Sequence, residues 1–198
     1  MNLPNRLTLM RIILIPFMMF FYLANFIPYG IGKLVALVIF IVAALTDLLD
    51  GKIARKRNIV TNFGKFLDPI ADKILTSTVL LLIIADGTIP NPWGAIIVTI
   101  IIAREFMVSA LRLLAANRGI VLAADMWGKS KTFVQMIALP ICIILSYIYT
   151  CGFATPNWLV LLVEILAYVT LGIATILTII SGVNYLVKNR SCFKENNQ

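Results

Sequence analysis

Four of the nine acidic residues of this chain, Asp47, Asp50, Asp68 and Asp72, fall between residues 47 and 72. At about 100° per residue along a helix, Asp47, Asp50 and Ala54 share one face, and Gly64, Asp68 and Asp72 form an i, i+4, i+8 stripe. The short connection between them returns the chain antiparallel, so the two stripes can face each other. Two carboxylates about 4 Å apart repel by about 4 kcal/mol at an effective dielectric near 20, so a cation must occupy the space between them. Carboxylate oxygens without imidazole or thiolate partners select hard divalent ions such as Mg²⁺, Mn²⁺ or Ca²⁺. Four carboxylates suffice for a pair of ions, the arrangement used for in-line phosphoryl displacement.

The residues between the acids favour a phosphate substrate over ion storage. Gly51 and Ala54 keep the acidic face of one helix free of bulk, and Gly64 does the same on the other. Arg55 offers a planar donor fork for a diphosphate, although an arginine at a cytoplasmic helix end also satisfies the positive-inside rule. Lys56 and Arg57 are read as orientation signals of that kind. The chain has no histidine, which removes imidazole acid–base catalysis, Ser/His and Cys/His nucleophiles and imidazole metal ligation. Cys142, Cys151 and Cys192 lack metal-ligand spacing and are assigned to packing.

The elements that must hold these residues are membrane helices. Of 198 residues, 61% are apolar and only 13% charged, and the mean hydropathy is +0.96, which excludes an ordinary soluble domain. Six apolar tracts can be drawn at Leu7–Ala24, Ile31–Leu49, Pro69–Ala85, Trp93–Leu114, Trp127–Tyr149 and Trp158–Val187. Each is of the length a bilayer span requires, and the fourth and sixth are long enough to project beyond it. The predicted fold is therefore all-α and polytopic, with six transmembrane helices and a short N-terminal interfacial helix, in one integral membrane domain over residues 1–198. The first tract is followed by further spans and lacks a small-residue cleavage pattern, so it is read as a span rather than a removable leader.

Lysine and arginine fix the expected orientation. The connections around Pro28, at 86–92 and at 150–157 carry only Lys33, whereas the alternate connections and both termini hold nearly all other cations. Both termini are thus expected in the cytoplasm. The net charge of +8 is read as topology and attraction to anionic membrane lipids, not as nucleic-acid affinity.

The run Asp47-x2-Asp50-Gly51-x2-Ala54-Arg55-x8-Gly64-x3-Asp68-x3-Asp72 resembles the complete signature of the CDP-alcohol phosphatidyltransferases. The segments Asn2-Leu3-Pro4-Asn5-x2-Thr8-x2-Arg11, Ala103-Arg104-Glu105-Phe106 and Gly128-Lys129-x-Lys131-Thr132 are similar to the bacterial phosphatidylglycerophosphate synthase branch of that family. The resemblance implies a homodimer in the bacterial cytoplasmic membrane, with a polar active-site cavity open to the cytoplasm and CDP-diacylglycerol as substrate. It implies that Asp47, Asp50, Asp68 and Asp72 hold two divalent metals, Mg²⁺ or Mn²⁺, and that Asp72 is also the catalytic base. It further implies that Gly51, Ala54, Arg55 and Gly64 line the CDP site and that Asn5 and Thr8 border it. A capping role in the short interfacial helix would suit Asn5 and Thr8 equally. Without an activated nucleophile in the chain, direct attack by the acceptor alcohol is favoured over a covalent enzyme intermediate.

Cations that the metal site does not need point to a phosphate-bearing acceptor. Arg104, Arg112, Arg118, Lys129, Lys131 and Thr132 surround the connection between the fourth and fifth tracts, and a phosphate needs such donors. Arg112 and Arg118 also fit a topology signal, and Arg104, beside Glu105, also fits a structural ion pair. An inositol phosphate would satisfy the same charges; the family resemblance prefers sn-glycerol 3-phosphate. A divalent-cation transporter is the rival from another class. It is disfavoured because transport sites lie near the midplane between repeated halves, whereas these acids lie at helix ends in a chain without repeats.

Overall fold

The computed structural model describes residues 3–24, 26–57, 62–117, 126–152 and 155–188, with side chains described except at 3–7, 48–57, 62–66, 68, 116 and 117. Among the described residues there are six α-helices and no strand. They are α1 (Leu3–Leu23), α2 (Ile31–Arg57), α3 (Asn62–Ala85), α4 (Trp93–Asn117), α5 (Met126–Thr150) and α6 (Asn157–Lys188), with a 3₁₀ turn at Pro28–Gly30 before α2. Among the described residues four stretches are long and apolar enough to cross a membrane: Pro28–Asp47, Trp93–Ala115, Met126–Thr150 and Asn157–Lys188. α1 contributes a shorter apolar stretch, Thr8–Leu23. α6, with 32 residues, is about 48 Å long at 1.5 Å per residue, more than a hydrocarbon core of about 30 Å requires.

Every apolar tract falls in a helix except for Ala24, one residue past the end of α1, but the helices that carry the acidic motif outrun their tracts. α2 continues through Asp50, Gly51, Ala54 and Arg55 to Arg57, and α3 starts at Asn62, ahead of Gly64 and Asp68. The expected short N-terminal helix is not a separate element, because Leu3–Leu23 is one continuous helix. Pro4 does not break it, since a proline in the first turn removes only an N–H that has no intrahelical acceptor.

The helices fall into two compact units, residues 1–89 with 139–167 and residues 90–138 with 168–198, so that α5 and α6 each contribute to both. In the first unit α1 packs on α2 and α3, and α2 on α3. The buried positions of α1 form one stripe, Thr8, Arg11, Ile15, Met18 and Tyr22, at the 3–4 spacing of a helix–helix seam. On α2 the matching stripe is Lys33, Ala36, Phe40, Ala43 and Asp47, of which the first four are buried and Asp47 is half-buried. Close approach at the start of α2 depends on Gly32: a Cβ there would stand 2.3 Å from the Phe21 carbonyl oxygen. The outward faces of α1, α4 and α6 expose large apolar residues such as Phe17, Phe20, Ile96, Leu161, Ile165, Val169, Ile176 and Val183. That surface suits hydrocarbon as solvent.

Candidate active site

Continuing the α2 stripe by the same spacing adds Asp50 and Ala54 to Asp47, and the corresponding stripe on α3 reads Asp68, Asp72, Leu75, Val79 and Leu82 before Asp86. The helical register therefore sets Asp47 and Asp50 on one face of α2 and Asp68 and Asp72 on one face of α3, and the α2 face continues into the stripe that packs on α1. Asp47 is held from α1: Nη1 of Arg11 lies 2.7 Å from Oδ1 of Asp47. The Arg11 side chain is buried, while about a third of the Asp47 side chain is exposed, 35%. Thr8, one turn before Arg11, is fully buried. Asp72 is half-buried, and the hydroxyl of Thr76 one turn later donates to its backbone carbonyl at 3.1 Å.

Asn5 lies on α1, Asp50, Gly51, Ala54 and Arg55 on α2, and Gly64 and Asp68 on α3, with their side chains outside those described. Among the described side chains no three acidic or sulfur ligands converge; of the four motif aspartates only Asp47 and Asp72 belong to that set. The donor chemistry fits hard divalent ions: an all-carboxylate set on helical stripes, with a guanidinium already balancing one member.

A second polar cluster closes the other end of the same unit, and sequence reasoning gave it no role. Nζ of Lys33 donates to Oδ2 of Asp86 at 2.9 Å, to Oγ of Ser146 at 2.6 Å and to Oγ1 of Thr150 at 2.8 Å. The Tyr22 hydroxyl donates to the same Asp86 oxygen at 2.7 Å, and the Ser146 hydroxyl donates to it as well. Oδ1 of Asp86 accepts the Thr88 amide at 3.0 Å and the Thr88 hydroxyl, closing the turn after α3. Burial alone would raise the pKa of Asp86, but the hydrogen bonds from Ser146, Thr88, Lys33 and Tyr22 outweigh it and hold the carboxyl below its ordinary value. The signal was present: a single lysine among connections otherwise free of lysine and arginine, on a half-apolar helix, needs a partner.

The acceptor-side candidates lie in the second unit. Nη2 of Arg104 donates to the Ser181 hydroxyl on α6, and the side chain crosses α6 at Gly182, where a Cβ would stand 3.1 Å from Arg104 Cγ. Lys131 is buried and paired with Glu105, so the acid beside Arg104 bonds α5 rather than its sequence neighbour. The Arg112 side chain is exposed and stacks 5.8 Å above the Tyr185 ring. Lys129 and Thr132 are exposed, and the Thr132 hydroxyl donates to the Gly128 carbonyl at 3.0 Å. Arg118 lies outside the described residues. Gln135, buried one turn beyond Lys131, was not singled out by sequence.

Comparison with known proteins agrees with this architecture. Residues 1–180 match the profile of the family described as CDP-alcohol phosphatidyltransferase. A Bacillus subtilis protein named CDP-diacylglycerol–glycerol-3-phosphate 3-phosphatidyltransferase is 40% identical over 99% of this chain and 99% of its own length. A Haemophilus influenzae protein of the same name is 39% identical over 100% of this chain and 98% of its own. A Mycobacterium tuberculosis protein named probable phosphatidylglycerophosphate synthase is 36% identical over 94% and 81% respectively. The acidic helix ends, the membrane-length apolar helices and full-length similarity converge on one assignment: the chain belongs to the CDP-alcohol phosphatidyltransferase family.

Proposed function

We propose that this protein transfers the phosphatidyl group of CDP-diacylglycerol to sn-glycerol 3-phosphate, releasing CMP and forming phosphatidylglycerophosphate. The observation that carries the reading is the pair of acidic stripes on α2 and α3, with Asp47 fixed by Arg11, in a chain whose full-length relatives bear that activity in their names.

In this reading Asp47, Asp50, Asp68 and Asp72 hold two divalent ions, Mg²⁺ or Mn²⁺. When bound there, such ions would supply Lewis-acid chemistry, polarising the diphosphate and stabilising the departing phosphate. The protein does the rest. Gly51, Ala54 and Gly64 leave room for the cytidine diphosphate, Arg55 holds its phosphates with a donor fork, and Asn5 and Thr8 border the same site. Asp72 takes the hydroxyl proton of the acceptor as that oxygen attacks the phosphatidyl phosphorus. Attack is direct, so no bond to the protein forms. Arg104, Arg112, Arg118, Lys129, Lys131 and Thr132 supply the charge and donors for the acceptor phosphate, with Arg112 and Lys129 the exposed cations among those described.

The same reading makes residues 1–198 one integral membrane domain of six spans with both termini cytoplasmic, functioning as a homodimer in a bacterial cytoplasmic membrane with its site on the cytoplasmic face. CMP release by the purified protein from CDP-diacylglycerol, measured against glycerol 3-phosphate, serine, inositol and inositol phosphate, tests the acceptor. Release with glycerol 3-phosphate alone supports it. Release only with another alcohol replaces the acceptor while keeping the chemistry.

A further inference from the structure

Gln135 is 2% exposed, yet neither Nε2 nor Oε1 of its carboxamide has a hydrogen-bond partner. Other polar side chains of the helices solve this problem locally. The hydroxyls of Ser109, Thr175 and Thr178 each donate to the carbonyl one turn earlier on their own helix. A primary amide cannot do so as readily, and a leucine would fill the same volume without leaving a donor and an acceptor unsatisfied. An unsatisfied amide within an apolar helix marks a place where something polar is meant to arrive.

Its neighbourhood says what that is. Gln135 follows Lys131 by one turn on α5, about 6 Å along the axis, and Lys131 is itself buried against Glu105. In the same unit α6 carries Ser181 bonded to Arg104 and Tyr185 beneath Arg112. A donor–acceptor pair set one turn from a buried cation matches a hydroxyl set one carbon from a phosphate ester. Resting on the acceptor reading above, we propose that Gln135 is a substrate-positioning residue that donates to and accepts from the non-reacting hydroxyl of the phosphate-bearing acceptor alcohol, and so sets acceptor specificity.

The test compares sn-glycerol 3-phosphate with 3-hydroxypropyl phosphate, which keeps the phosphate and the reacting hydroxyl and lacks the middle one. In the wild-type protein kcat/KM for the analogue is expected to fall roughly 10- to 100-fold, the discrimination a site built around a hydroxyl achieves. Gln135→Leu is expected to lose about that factor with glycerol 3-phosphate and almost nothing with the analogue, so that the two acceptors become equivalent. Its thermal midpoint should be no lower than that of the wild type, because an apolar side chain removes an unsatisfied amide. Gln135→Met, which keeps the length, gives the same ratio should the leucine variant express poorly. Equal losses with both acceptors, with discrimination preserved, would overturn the proposal, as would unchanged discrimination at full activity. Wild-type CMP release with a different alcohol and none with glycerol 3-phosphate would instead overturn the acceptor reading on which it rests.

Discussion

Arg11 of α1 and Asp47 of α2 form an ion pair of 2.7 Å at one end of the seam between their helices, and the arginine is the buried partner. The other end of that seam is also polar, where Tyr22 and Lys33 meet Asp86. Apolar side chains between the two ends, Ile15, Met18, Ala36, Phe40 and Ala43, are buried. Lys33 and Asp47 are separated by about 21 Å of helix, so α2 joins the Lys33–Asp86 cluster at one end to the Arg11–Asp47 pair at the other.

Arg11→Gln should therefore damage the site as well as the fold. Removing the guanidinium leaves Asp47 without the contact that orients it, and a turnover loss of tenfold or more is expected, together with a lower thermal midpoint. Arg11→Lys, which keeps charge but loses the planar fork, should fall between. CMP release and thermal unfolding measured on the same preparations check both effects; wild-type turnover in Arg11→Gln would contradict the positioning role.

Asp→Asn at 47, 50, 68 or 72 should nearly abolish turnover, since the amide keeps volume and removes the charge that holds a divalent ion. EDTA should silence the wild-type protein, and Mg²⁺ or Mn²⁺ should restore it. Asp72→Asn should stand apart by retaining CDP-lipid binding in calorimetry while failing in the chemical step. Full activity in any of the four variants would exclude that residue from the metal set.

The Lys33–Asp86 pair predicts a coupling. Either Lys33→Met or Asp86→Asn alone strands a buried charge or its partners and should cost about 3–5 kcal/mol of stability. The double variant should be less destabilised than the sum of the two. The pH dependence follows from the lowered carboxyl: the contribution of Asp86 is present above the ordinary carboxylate value of 3.8 and is lost as pH falls through its lower folded-state value. Thermal unfolding of the wild type, the two single variants and the double variant from pH 7 down to about pH 2, below the ordinary carboxylate value, checks both the cycle and the pH dependence, and additive effects would mean that the pair does not couple.

Six spans with both ends inside require Asn91 and Thr155 outside and Lys56 inside. Cysteine placed at each position, in a chain with Cys142, Cys151 and Cys192 replaced, should react with an impermeant maleimide from the external face at 91 and 155 only. Labelling of position 56 from outside would reverse the orientation.

The helices were legible in the sequence because bilayer-length apolar tracts leave little alternative. Five of the six tracts lie wholly within helices and the first overruns α1 by Ala24 alone, and the motif spacing sets Asp47, Asp50 and Ala54, and Gly64, Asp68 and Asp72, on single helix faces. The extension of α2 to Arg57 was not visible in hydropathy, because its last turns are held by helix-forming Lys52, Arg55 and Lys56 rather than by apolar residues. The partner choices were the hardest part. Glu105 sits next to Arg104 in sequence yet bonds Lys131, since adjacent residues on a helix do not face each other. Arg11 belonged to a recognised segment, but its burial against Asp47 depends on how α1 packs, which its own sequence does not encode. Lys33 and Asp86 lie far apart in the chain, and nothing in their local patterns names the other.

The most direct test of the central claim is transfer of label from sn-[¹⁴C]glycerol 3-phosphate into lipid by the purified protein supplied with CDP-diacylglycerol and Mg²⁺. The account predicts labelled phosphatidylglycerophosphate in equal amount to the CMP released, and no labelled lipid from Asp68→Asn. CMP release without label entering lipid, or labelled lipid formed undiminished by Asp68→Asn, would contradict it.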